Sequence, residues 1–457
     1  SDRKVVPGDV LLSESEKRDI LALQELYPVF LLVLNVGGPV DLSPVVQDVD
    51  DILLLSQLGV QTGAVLSDIL LGEAYPSGKL TTSWVRGGDF CPQAEFGEKE
   101  ETHYKEGIYV GYRYYDAAHV KPLFPFGFGL GYTDFRLEPG AVTLAGEQVT
   151  VSAQVRNTGA FSGKEVVQLY LSSPWGALDQ PAQALVAYGK TRELAPGESC
   201  RMELRFKMSD LASFDEARSA YVLEKGDYVL RCGNSSRKCK PMALLRLTHE
   251  VVTLQARDLL GKPDFSDWKP EGPEPVPEGL PVYVLDAESI PTKTLSDTRT
   301  LRPDPMVQAL TDEELVFLNI GGFKLKDRSS VVGDSGFAIP GTAGETTSQL
   351  KAKGFPAIIM ADGPAGVRLA RDYYEDKKGA HSLSSAMLPT MIDLLPAPVR
   401  SSMRRQKKLP KGTVVKHRYA TAIPIGTAIA QSFSLSLAES CGDIVGDEME
   451  RFGIHLW

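Results

Sequence analysis

Near residue 140 the hydrophobic pattern of this chain changes its period, and no single domain can hold both sides of that change. Downstream, VTVSAQVRNTG (149–159), VVQLYL (166–171), CRMELRF (200–206) and YVLEKGDYVLRCG (221–233) alternate apolar and polar residues. Glycine, proline and asparagine turns separate these short runs, and most of the gaps lack a helical period. The pattern predicts an antiparallel β-sandwich of immunoglobulin or fibronectin type. Upstream the organisation is β–α–β. Ser13 and Glu16 form a capping box that opens an amphipathic helix with Ile20, Leu23 and Tyr27 on one face. Wholly apolar strands come next in VFLLVLNV (29–36) and DILLL (51–55), then a helix over 62–71 closed by Gly72. YPSG (75–78) turns the chain into KLTTSW. Strands apolar on both faces imply a parallel sheet covered by helices.

Residues 262–299 carry prolines at 263, 270, 273, 275, 277, 281 and 291 among acidic residues, the composition of a stiff, extended linker. The last part is α/β again. Thr311 and Glu314 make a second capping box, FPAIIMA reads as a buried strand, and 435–452 as an amphipathic helix ended by Gly453. IHLW then starts another strand, and this alternation fits the opening of a β/α barrel whose C-terminal end looks cut.

At 457 residues, about two to four domains are expected. Hydrophobic and charged contents of 43% and 24% are those of a globular protein. The net charge of −10 argues against nucleic acid and anionic membranes as partners and suits small neutral ligands. No apolar run reaches the ~18 residues of a membrane span. The five cysteines, at 91, 200, 232, 239 and 441, lack metal spacing. Cys232 and Cys239 are close enough in CGNSSRKC to bridge, but free thiols in a reducing compartment are the preferred reading. A cytoplasmic location is therefore expected. Secretion is the alternative, under which Asn234 of NSS would be a glycan acceptor.

No phosphate-binding loop is found. LNVGGP (34–39) comes after a strand, but its glycines are adjacent and a proline replaces the helix start, so a flavodoxin-like nucleotide site is not expected. The six histidines are widely scattered, and neither metal nor cofactor is expected. FSDWKPEG (265–272) contains Ser-Asp-Trp, yet it lies between GKPD and the Pro/Glu-rich segment, so Asp267 reads as a linker residue. Asp362 has the opposite context. In AIIMADGPAGVRLA (357–370) an apolar strand ends on this aspartate, where barrels build their sites. Gly363 and Gly366 allow close backbone approach, and Pro364 stiffens the turn. A carboxylate held this way can accept hydrogen bonds from two adjacent hydroxyls, as a sugar presents them. Arg368 either donates to the same ligand or pairs with Asp362. Taken alone, the motif favours a structural turn over a binding site.

Several stretches together change that balance. DGPAGVR (362–368), YATAIPIGTAIAQSF (419–433), YPSGKLTTSW (75–84), GIYVGYRYYD (107–116) and PLFPFGFGLGYTDF (122–135) resemble family 3 glycoside hydrolases, specifically the β-glucosidases. VRNTGAFSGKEVVQLYL and KGDYVLRCGNSSR resemble that family's fibronectin-like domain. The resemblance implies a multidomain α/β plus all-β protein with reversed domain order. Residues 1–137 would be the C-terminal part of an α/β sandwich and 138–258 a fibronectin type III-like β-sandwich. Residues 259–300 would be the linker and 301–457 the N-terminal part of a TIM-like β/α barrel. The implied activity is retaining, exo-acting release of terminal β-D-glucose from cello-oligosaccharides or β-glucosides. Asp362 would bind distal hydroxyls of the glucose, with Arg368 beside it.

The family's acid/base glutamate opens a Glu-Gly-x-Asp-Arg stretch, and SDRKVVPGDVLLS (1–13) resembles the continuation of that stretch from x onward. On that alignment Ser1 is x, Asp2 and Arg3 come next, and the glutamate precedes residue 1. The nucleophile would lie on a later barrel strand, beyond Trp457. No catalytic carboxylate is then expected in the chain itself. A further segment of the same polypeptide, or a second chain, would supply the rest of the barrel and sandwich. Homo-oligomerisation is left open. The competing readings are a β-xylosidase or other exo-glycosidase of the family, and a sugar-binding or assembly protein without catalysis. RRQKKLPK (404–411) reads as a solvated loop.

Overall fold

The computed structural model describes residues 4–89, 100–259, 261, 263–272, 275–295, 302–319, 339–376, 379–383, 397, 400, 409 and 412–457. Asp2, Arg3, Cys91 and most of the 404–411 stretch lie outside the described residues. The chain divides into two compact units. The first is Ser1–Gln57, Thr62–Thr298 and Thr427–Ser434, and the second is Leu58–Gln61, Arg299–Gly426 and Leu435–Trp457.

The first unit opens with helix α1 (Glu14–Leu26), capped as the sequence predicts. The Ser13 N–H donates to Glu16 Oε2 at 2.7 Å, and the Glu16 N–H to Ser13 Oγ at 3.3 Å. Its expected apolar face is only partly used. Ile20 and Leu21 pack on the core, while Leu23 and Tyr27 stay exposed, because α1 is an outer helix with no fully buried residue. Strands β1 (Leu31–Leu34) and β2 (Asp51–Leu54) pair in parallel, from Leu31–Asp51 to Leu34–Leu54. Leu34, Leu42, Val45, Val49 and Trp84 form the core beneath them. Helix α2 (Thr62–Leu71) ends at Gly72, whose φ of 75° continues the chain in the left-handed region that glycine tolerates.

After helix α3 (Tyr112–Ala117) the chain enters the β-sandwich. Strands β3 (Phe135–Ala145), β4 (Gln148–Asn157) and β7 (Ser199–Lys207) form one sheet, with β4 central. Strands β5 (Val166–Ser172), β6 (Ala184–Lys190), β10 (Gly226–Gly233) and β11 (Cys239–Leu247) belong to the second. Strands β8 (Ser213–Asp215), β9 (Ala220–Leu223) and β12 (Val251–Gln255) belong to a third, smaller sheet. Val149, Val151 and Val155 point from β4 into one core with Leu169, Leu171, Leu230 and Leu245. This is the period-2 signal made physical.

Strand β5 departs from alternation, since its other face is buried too. Gln168 and Tyr170 are fully buried beneath the 112–128 segment. Gln168 Nε2 donates to the carbonyls of Gly127 (3.2 Å) and Asn234 (2.8 Å), and the Tyr170 hydroxyl donates to Gln168 Oε1 at 2.6 Å. Around this seam Lys79 Nζ meets Glu165 Oε1 at 2.7 Å, with both side chains less than a tenth exposed. Lys79 also donates to the Gly129 carbonyl, and Asn234 Nδ2 donates to Glu165 Oε2. Asp116 pairs with Arg237 at 2.9 Å and accepts from Gln183 Nε2 at 2.9 Å. Each of these buried charges has a partner, the condition under which burial is tolerated.

Register settles the cysteine question for the β10–β11 hairpin. Cys239 faces Gly233, and Cys232 faces Lys240. Directly opposed residues share a face and neighbours alternate, so the two thiols point to opposite sides of the sheet and cannot bridge. Both are free, and burial pushes the Cys232 thiol up to about 12 and that of Cys239 to about 11.

The proline-rich segment is extended but is not a bare tether. Strand β13 (Val282–Val284) pairs in parallel with β11, and β14 (Lys293–Thr294) with β12. Trp268 sits edge-on to Tyr109 and Tyr114, and its backbone N–H donates to the Lys105 carbonyl at 2.6 Å. Aromatic contacts and sheet-edge pairing hold what composition alone reads as a stiff, extended linker.

In the second unit, Thr311 and Glu314 cap the helix Asp312–Asn319 reciprocally. Strands β15 (Gly344–Thr346) and β16 (Ile358–Met360) are antiparallel. The helix Leu435–Phe452 ends at Gly453 and returns the chain to β16, where Leu456 makes a parallel bridge with Met360. This is one strand–helix–strand turn of the kind from which β/α barrels are built. Strands β17 (Asp372–Asp376), β18 (Gly379–Ser382) and β19 (Lys416–His417) form a separate small sheet in the order β18-β17-β19.

Candidate functional site

Strand β16 is shorter and more open than its apolar sequence suggests. Ile359 and, beyond the strand, Ala361 are buried, whereas Ile358 is 43% exposed. Alternation places Ile358 and Met360 on the opposite face, and the chain then leaves the strand at Asp362. The next turn is closed by its own backbone. The Arg368 N–H donates to the Asp362 carbonyl at 2.8 Å, and the Gly363 N–H donates to Asp362 Oδ1 at 2.7 Å. Gly363 has φ 142° and Gly366 φ 113°. A Cβ on Gly363 would lie 2.1 Å from the Gly366 carbonyl oxygen, and one on Gly366 would lie 2.2 Å from that of Thr421. Neither position admits a side chain without moving backbone. The Ile423 N–H donates to the Ala365 carbonyl at 3.0 Å, which ties the turn to the 421–423 segment.

The structure brings Asp362 and Arg368 together, but loosely. Arg368 Nη1 is 3.7 Å from Asp362 Oδ2, and the side chains are 51% and 64% exposed. An exposed pair at that distance contributes little to stability. What the turn supplies is position: a fixed carboxylate with acceptor capacity facing solvent and a guanidinium beside it. That pair can bind vicinal hydroxyls, with the carboxylate accepting and the arginine donating.

The small sheet beyond Ala370 carries polar side chains that sequence reasoning did not single out. Asp372 is held below the usual carboxylate range by hydrogen bonds from Arg371 and then His417, the latter at 2.7 Å. Arg418 lies over the Tyr373 ring at 4.0 Å, and burial lowers its guanidinium from the ordinary value. Residues 371–376 (RDYYED) show no alternation that would mark a strand, and the partner strand at Lys416–His417 is some forty residues away. Asp267 belongs to the first unit, and the Asp362 turn to the second. Its carboxylate packs against Gly107, and burial, then Asp179 and Glu216, raise its affinity for a proton. Among the described residues there is no group of three or more His, Cys, Asp or Glu side chains that could hold a metal ion, and no helix long and apolar enough to cross a membrane.

Residues 2–132 match the glycosyl hydrolase family 3 C-terminal domain, and residues 165–236 match the fibronectin type III-like domain. β-Glucosidase A of Butyrivibrio fibrisolvens is 37% identical over 270 residues, which are 53% of this chain and 32% of that protein. A β-glucosidase of Ruminococcus albus is 30% identical over 399 residues, 80% of this chain and 41% of that protein. Among solved structures, a β-glucosidase from Paenibacillus barengoltzii superposes with a TM-score of 0.74 at 29% identity, covering 99% of this chain and 48% of that one. β-Glucosidase 3B from Thermotoga neapolitana, in complex with α-D-glucose, gives a TM-score of 0.52 at 39% identity over 55% of this chain and 36% of that one. The chain thus spans less than half the length of each of these proteins. Residues 2–132 are a glycosyl hydrolase family 3 C-terminal domain, joined in the same chain to a fibronectin type III-like domain at residues 165–236.

Proposed function

We propose that the chain is part of a retaining, exo-acting β-glucosidase, to which it contributes substrate contacts and scaffold. In this reading Asp362 accepts hydrogen bonds from distal hydroxyls of the terminal glucose, and Arg368 donates alongside it. The observation that carries the reading is the Asp362 turn, whose glycines are pinned while its carboxylate stays open to solvent. The glucose complex of the T. neapolitana relative supports glucose as the ligand class. All the relatives and structures named above are β-glucosidases, which favours that activity over β-xylosidase or a non-catalytic role.

Retaining hydrolysis needs two carboxyl groups about 5–5.5 Å apart, one attacking the anomeric carbon and one protonating the leaving oxygen. In our reading that pair comes from the remainder of a longer polypeptide, which also completes the barrel and the α/β sandwich. The buried free thiols Cys232 and Cys441 support a cytoplasmic, reducing location. The test is glucose release from cellobiose or an aryl β-glucoside. Residues 1–457 alone should be inactive and should gain turnover when the flanking segments are restored. Robust turnover by residues 1–457 would contradict the division of labour, and inactivity of a folded, longer polypeptide would contradict the enzymatic reading.

A further inference from the structure

The Asp362 turn is braced by a carboxylate far away in sequence. Glu448 lies on the helix Leu435–Phe452, on the same side as the buried Cys441 and Val445, seven and three residues earlier. It accepts three hydrogen bonds from one residue. The Thr421 N–H donates to Oε1 at 2.9 Å and to Oε2 at 3.1 Å, and the Thr421 hydroxyl donates to Oε1 at 2.6 Å. Thr421 is also the residue whose carbonyl oxygen closes over Gly366, and Ile423, two positions on, donates to the carbonyl of Ala365. The contacts therefore run without a break from the helix through Thr421 to the Gly-Pro-Ala-Gly turn and Asp362.

We propose that Glu448 is a positioning residue for the sugar site: it fixes the 421–423 segment against the turn and so sets where the Asp362 carboxylate stands. The inference rests on the reading of Asp362 as a hydroxyl acceptor. A charge-assisted acceptor with both oxygens engaged holds a backbone segment more firmly than a neutral contact. An acceptor for two hydroxyls must be placed to within about 0.5 Å. A side chain that only stabilised the fold would alter the folded fraction and leave the affinity of folded enzyme unchanged.

The test uses the complete polypeptide with an aryl β-glucoside as substrate and free glucose as competitive inhibitor. Glu448→Asp keeps the charge but is one methylene too short to reach Thr421. It should raise KM and the glucose inhibition constant about tenfold, with kcat falling less, as expected for a displaced binding group. Glu448→Gln keeps the reach and the bonds to Oε1 but loses the charge and the second acceptor oxygen, so KM should rise about threefold, between the parent and Glu448→Asp. A larger rise than that of Glu448→Asp would contradict the role of reach. A folded Glu448→Asp enzyme with both constants within about twofold of the parent, beside an inactive Asp362→Ala, overturns the proposal and leaves the sugar site standing. Near-normal activity of Asp362→Ala removes the site, and this inference with it. Should Glu448→Asp not fold, Thr421→Val takes its place. Loss of the 2.6 Å bond is then expected to raise KM about threefold, and an unchanged KM overturns the proposal.

Discussion

The seam beneath β5 and the turn at Asp362 both depend on carboxylates, and they use them in opposite ways. In the seam, Glu165 takes an ion pair from Lys79 and hydrogen bonds from Asn234 and the Val166 N–H, all within 3.0 Å and away from water. At the turn, Asp362 receives its own neighbour's N–H at 2.7 Å and an arginine at 3.7 Å, and remains mostly exposed. The first carboxylate is fully engaged and serves as scaffold. The second is held still with capacity to spare, which is what a ligand requires of an acceptor. Rigidity of the backbone together with openness of the side chain is the feature on which the proposed site rests.

If that contrast is right, the largest effect on stability should come from the seam. Glu165→Ala leaves the Lys79 ammonium buried without its counter-charge, and should cost about 3–5 kcal/mol by denaturant unfolding. A loss under about 1 kcal/mol would mean that water reaches the seam. Next is Gly366→Ala. It combines a left-handed φ with a 2.2 Å clash against the Thr421 carbonyl, so glucose binding should fall steeply while the cost in stability stays at about 1–3 kcal/mol. Unaltered glucose affinity in a folded Gly366→Ala enzyme would show that the turn does not position the acceptor.

A pH experiment sharpens the seam side. Burial lowers the Lys190 ammonium from 10.5 to about 8, and Lys164 and Lys79 add to the shift; Lys190 also donates to the Ser432 carbonyl at 2.8 Å. Between those two values the unfolded chain binds more protons than the folded one, so this group makes stability rise with pH across the window. Measured against Lys190→Met, the parent should gain stability from pH 8 to 10.5 and be flat below about pH 7. A difference that does not vary with pH would mean that Lys190 is solvated. The smallest effect concerns Asp267. Asp267→Asn should leave turnover within about twofold, as for a change at an exposed residue. A loss of several orders of magnitude would place chemistry in the proline-rich segment.

Much of this architecture was legible because it rests on local periodicity. The alternation of 149–155 foretold the inward valines of β4, and the capping boxes at Ser13 and Thr311 marked helix starts. What escaped was set by partners distant in sequence. Gln168 and Tyr170 are buried on the outer face of β5 only because residues 112–128 lie across it. Leu23 and Tyr27 are apolar, yet no described element covers them. The proline-rich segment gains order from Tyr109 and Tyr114, more than a hundred and fifty residues before Trp268. At the candidate site, the turn at Asp362 could be read from strand, aspartate and glycines in succession. For Glu448 the helix period gives the side of the helix but not the partner, since Thr421 lies outside the helix and earlier in the chain.

The most direct test of the central claim is the affinity of the complete polypeptide for glucose with and without the Asp362 carboxylate. Asp362→Ala should keep its circular dichroism spectrum and unfolding midpoint, because the exposed side chain adds little to stability. Each sugar hydroxyl left without its acceptor costs about 1–3 kcal/mol, and more against a charged one, so two of them predict a loss of at least about thirtyfold in glucose affinity and in kcat/KM for an aryl β-glucoside. Glucose affinity and kcat/KM within about threefold of the parent would show instead that the Asp-Gly-Pro turn is structural and that the sugar is held elsewhere.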